Sequence, residues 1–159
     1  MSEASTPLEN TSNRRTPAPG RVRFGMISTL IGFIVFMLGA KPEWFALDRS
    51  PVVGFLQIAV FLVGLAIISM GGYLSLTALW HGDEKSIPAE IGMRLVSTGY
   101  VIAAFSGMAD IFGMGTHPLP GVPFFGHLQS LGVQVGEIVI VIGFLMLIPY
   151  HKHNHLVKA

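Results

Sequence analysis

The chain of 159 residues contains no cysteine. That excludes structural disulfides, thiolate catalysis, iron–sulfur clusters and any thiol–disulfide relay. Charge is also scarce: 12% of the residues are Asp, Glu, Lys or Arg, against roughly 25% in an ordinary soluble domain. Net charge is +1, which by itself says nothing about nucleic acid; no nucleic-acid partner is expected. No Walker loop, dinucleotide fingerprint, GxSxG or HExxH occurs, so no common catalytic signature is present. The loop His81-Gly82-Asp83-Glu84-Lys85 carries no phosphate-binding pattern either. The expectation is a protein that is not an enzyme and has no cofactor.

What the chain does have is apolar length. Hydrophobic residues make up 51% of it and the mean hydropathy is +0.61. They gather into four blocks: about 22–40, 52–80, 91–113 and 126–150. Each suits a helix crossing a hydrocarbon core about 30 Å thick better than a soluble helix or a buried strand. The alternating pattern of a membrane β-barrel is missing. The expected fold is an all-α integral membrane protein, four transmembrane helices in an antiparallel bundle spanning residues 22–150. Residues 1–21, rich in Ser, Thr, Pro and Asn, read as a disordered tail. No apolar run follows the start directly, so this tail is not a secretory signal. Residues 151–159 form a second tail; its His151-Lys152-His153-Asn154-His155 run reads as a solvated positive end.

Basic residues set the orientation. Arg14, Arg15, Arg21 and Arg23 precede the first block, Lys85 and Arg94 lie around the second loop, and Lys152 and Lys158 follow the last block. The opposite side holds only Lys41 and Arg49. The positive-inside rule then puts both termini in the cytoplasm of a multi-pass cell-membrane protein. Trp44, Trp80 and Tyr150 lie near block ends, where amphipathic rings favour the interface. The third loop, Met114–Phe125, contains three prolines and two glycines and reads as a stiff outer connector.

Small residues are placed for close helix packing. Gly99, Ala103 and Gly107 step by four along the third block, and Gly132 and Gly136 form a GxxxG on the fourth. Such ladders let membrane helices approach. They fit packing within one chain and also self-association.

One acidic residue lies deep. Glu137 is near the middle of the last block, roughly 16 Å from either end of such a helix. Ionisable groups at that depth are costly and face protein or a water-filled cavity. His127, Ser130, Gln134 and Glu137 recur at steps of three, four and three, which puts them on one helical face. With Gln57, Asp110 and Gln129 near the same outer surface, these residues outline a polar vestibule ending at Glu137. Glu137, Gln134, His127 and Asp110 are the candidates for handling a proton or an ion. A weaker possibility is a metal site from Asp110, His117 and His127, whose ligand types suit zinc although no ligand spacing supports it.

Two readings lead. In the first, the protein is a non-enzymatic helix-packing subunit of a homo-oligomer or of a larger membrane complex, with the lipid bilayer and other subunits as partners. In the second, it is a proton- or cation-coupled permease that uses Glu137. A membrane enzyme or metal site at the outer face comes third.

Overall fold

The computed structural model describes residues 19–41, 54–80, 85–114 and 126–149. Among them are four α-helices: α1 (Pro19–Ala40), α2 (Phe55–Ala78), α3 (Ile87–Gly107) and α4 (His127–Leu147). Three of these, α1, α2 and α4, are long and apolar enough to cross a membrane. Glu90 and Arg94 lower the hydropathy of α3, which is not among the three. The His151–His155 run, His117 and most of the third loop lie outside the described residues.

Local chemistry explains where α3 begins and ends. Ser86 caps it, accepting a hydrogen bond from Ala89 N at 3.4 Å, and a proline follows in the first turn. Proline is well placed there because the first backbone N–H groups have no partner inside the helix. The apolar block beginning near Ile91 is therefore the second turn of the helix. At the far end α3 stops at Gly107, and residues 108–113 form turns closed by Gly113 at φ 71°. A positive φ of that kind favours glycine.

The helices pair as two antiparallel hairpins, α1 with α2 and α3 with α4. Glycines set how closely they pack. A Cβ added at Gly32 would lie 2.7 Å from Ile68 N, and one at Gly136 would lie 2.6 Å from Ala103 N. Backbone occupies the space where side chains would stand. Dispersion at such short range is what holds helices together in lipid, which offers no hydrophobic drive. The hairpins then join through α2, which touches both α3 and α4. A small apolar core of Leu65, Val96, Ala103 and Ile140 forms at that junction. Trp80 Nε1 donates to Leu147 O at 3.0 Å and ties the ends of α2 and α4. Among the described residues no Cα of α1 lies within 8 Å of one in α3 or α4, although the Phe36 side chain packs against the core.

The two hairpins are built alike. Gly54-Phe55-Leu56-Gln57 opens α2 and Gly126-His127-Leu128-Gln129 opens α4, and Gly64, Ile68 and Gly71 in α2 recur as Gly136, Ile140 and Gly143 in α4. On the partner helices, Gly25-Met26 and Gly32 recur as Gly92-Met93 and Gly99. The contacts repeat with the residues. A Cβ at Gly25 would meet Gly71 O, and one at Gly92 would meet Gly143 O; Gly32 meets Ile68 N as Gly99 meets Ile140 N. Gly64 meets Phe36 N as Gly136 meets Ala103 N, and Gly71 meets Thr29 N as Gly143 meets Val96 N. Residues of equal rank in the two halves touch through the same backbone atoms, so the chain is a repeated helical hairpin in one register.

Candidate functional site

The wide backbone separation of α1 from α4 leaves a fissure whose walls are those two helices and whose floor is α2. Its first part is a cleft of about 560 Å³ between the end of α1, the start of α2 and the first half of α4. Gln57, Ser130, Gln134 and Glu137 line it, with Lys41 among the residues of the α1 wall. Phe36 and Phe61 also line it, their ring centroids 4.6 Å apart.

Helix geometry puts these groups together. Ser130, Gln134 and Glu137 follow at four and three residues, so α4 turns all three towards the cleft. Gln57 sits in the first turn of α2, and the parallel course of α2 and α4 sets it opposite Ser130. Glu137 is the eleventh of the 21 residues of α4, about 15 Å from either helix end. It is half-buried. One side-chain hydrogen bond joins two helices among the described residues, the one from Trp80 to Leu147. Glu137 has none. Its carboxyl group therefore faces the cleft without anchoring a neighbouring helix.

The other candidates of the sequence lie elsewhere. His127 is the first residue of α4 and is exposed, outside the cleft. Asp110 falls in the turns after α3, where its Oδ1 is buried without a hydrogen-bond partner among the described residues. Gln129 is 7% exposed and works locally: its Oε1 accepts from Gly126 N at 2.7 Å, closing the first turn of α4. Among the described residues no three His, Asp or Glu side chains gather as metal ligands would. Gly99, Ala103, Gly107, Gly132 and Gly136 all face partners within the chain: Gly99 meets Gly136 and Ile140, Gly132 meets Ser106, and Gly107 meets Ile58, Leu62 and Val133.

Lys41 is the group that sequence reasoning left out of the cleft. In the sequence it is one of the two basic residues, with Arg49, expected on the outer side. Antiparallel pairing sets the end of α1 beside the start of α2, and Lys41 lines the cleft that parts α1 from α4.

The repeat supplies an internal comparison for the polar residues. The α2 positions that match His127, Ser130, Gln134 and Glu137 are Phe55, Ile58, Leu62 and Leu65. One hairpin thus packs in this register with apolar groups where the other carries a polar stripe. The hairpin itself does not require the stripe.

No protein family, curated protein or solved structure significantly matches the chain.

Proposed function

We propose that this protein is a four-span membrane protein with both termini in the cytoplasm, and that it acts as a proton- or cation-coupled permease with Glu137 as the binding carboxylate. Gln134, Ser130 and Gln57 line the way to it, and the cleft lies towards the end where the N-termini of α2 and α4 stand. The positive-inside rule assigns that side to the exterior. One observation carries the reading: Glu137 lies half-way along an apolar helix, faces an open cleft and, among the described residues, makes no bond to another helix. A carboxyl group kept for packing would be expected to spend its hydrogen bonds on a neighbour.

The test is proton flux in proteoliposomes loaded with a pH-sensitive dye, under imposed Na⁺, K⁺ or pH gradients. Wild-type protein carries Glu137-dependent flux, and Glu137→Gln abolishes it while the yield of folded protein stays the same. Equal flux from wild type and Glu137→Gln would sink the proposal.

A second reading has support of its own. The gap between α1 and α4 presents apolar walls, and another copy of this chain or another membrane subunit would fill it in a helix-packing role. Chemical cross-linking in native membranes tests this: a discrete oligomer lost with Leu30→Trp favours it, and a monomer rejects it.

A further inference from the structure

A second space lies further along the same three helices, and its lining is of another kind. Beyond the polar cleft, the same three helices border a second, open space of about 690 Å³. Met26, Leu30 and Phe33 of α1, Leu76 of α2 and Phe144 of α4 give it an apolar lining. Its two hydroxyls are already engaged on their own helices: Thr29 Oγ1 donates to Gly25 O at 2.9 Å, and Ser75 Oγ donates to Gly72 O at 3.1 Å. Nothing there asks for a polar ligand.

On α1 the two spaces follow one another, the apolar one ending at Phe33 and the polar one starting at Phe36. Together they run from Met26 to Lys41, a distance of about 22 Å along the helix. The repeat shows that the opening is a particular feature of this side. In a symmetric pairing of the hairpins, α1 would close on α4 as α3 closes on α2; α3 does touch α2, and α1 stands off from α4.

We infer that the α1–α4 fissure binds a single-chain amphiphile from the membrane, its head in the polar half and its apolar chain beside Leu30 and Phe144. This rests on the reading of Glu137 as a binding group and names the class of substrate that would accompany the proton or cation. The head is one without net charge. Lys41 and Glu137 both line the polar half, so their formal charges cancel, while Gln57, Ser130 and Gln134 supply donors and acceptors. A head of several hydroxyl or amide groups matches that lining. A bare ammonium or sulfate would meet one favourable and one unfavourable charge.

The experiment uses full-length protein in phosphatidylcholine nanodiscs. Ile27, which lines the apolar half, is replaced by cysteine and carries an environment-sensitive bimane, the only thiol label in a chain that has no cysteine of its own. Dodecyl glucoside is expected to give a saturable spectral shift. Dodecyltrimethylammonium and dodecyl sulfate should bind about tenfold more weakly, and glucose alone should give no shift. Leu30→Trp, which fills the apolar half, weakens dodecyl glucoside binding about tenfold or more, whereas Ile91→Trp on the exposed face of α3 leaves it unchanged. Equal binding of all three dodecyl probes, or indifference to Leu30→Trp, would show a groove merely lapped by lipid and overturn the inference. Proton flux measured on the same preparation separates the two claims. Glu137-dependent flux without selective binding removes the amphiphile alone; selective binding without such flux removes the permease reading and keeps the fissure.

Discussion

Glu137 stands where the first hairpin has Leu65, and that pairing says more about it than its depth does. Buried carboxyl groups serve either as interhelical glue or as binding groups. The repeated hairpin separates these roles because Ile58, Leu62 and Leu65 occupy the ranks of Ser130, Gln134 and Glu137. If the stripe serves ligands, the triple replacement Ser130→Ile, Gln134→Leu, Glu137→Leu keeps a folded protein. Its melting temperature in detergent should equal or exceed that of wild type, with proton flux lost. A variant that fails to fold would return the stripe to a packing role. The face shared by these residues was legible in the sequence, since helical periodicity alone aligns them. That Lys41 joins them was not legible, because it depends on how α1 and α2 turn back on one another.

At the level of the helix pair, glycine spacing governs the approach. In α1, Gly25, Gly32 and Gly39 recur every seven residues, as do Gly64 and Gly71 in α2, Gly92 and Gly99 in α3, and Gly136 and Gly143 in α4. Seven residues bring the same face back to the partner at each second turn. The four-residue ladder Gly99–Ala103–Gly107 is the more visible pattern, yet its members are not equivalent. A Cβ at Gly136 would lie 2.6 Å from Ala103 N and Gly99 O, while one at Gly107 would find its nearest atom, Ile58 Cγ2, at 3.4 Å. Gly136→Ala should therefore add about 1–3 kcal/mol of overpacking, which outweighs the gain of about 1 kcal/mol from better helix propensity. Gly107→Ala meets ordinary contacts and should be neutral or slightly stabilising. Thermal unfolding of the two variants in one detergent decides: equal melting temperatures would contradict the tight backbone seam. The start of α3 shows a similar limit of pattern reading. The apolar run starts near Ile91, but Ser86 and Pro88 begin the helix earlier, and a capping turn need not be apolar.

Over the whole molecule, orientation is a matter of charge and remains a proposal to be measured. Single cysteines placed at Lys41 and at Lys85 should behave oppositely towards a membrane-impermeant maleimide. Lys41→Cys is expected to react in intact cells, and Lys85→Cys only after permeabilisation; the reverse pattern would invert the topology and put the polar cleft on the cytoplasmic side. The assembly of the hairpins has a consequence that topology alone does not. Because α2 alone joins them among the described residues, α1 has one helical partner there, and the fissure follows from its unpaired edge.

The apolar blocks determined by themselves that the chain is helical and that it has segments long and apolar enough to cross a membrane, for a physical reason: a segment in hydrocarbon must satisfy every backbone group internally. Spacing along one helix likewise determined which side chains of α4 share a face. What only the tertiary structure decided is which helices meet and which stay apart. Seven-residue glycine seams allow close backbone contact in both hairpins, but nothing local in the sequence says that α3 closes on α2 while α1 stands away from α4. That difference arises from long-range packing, and it turns a polar stripe into one wall of a cleft.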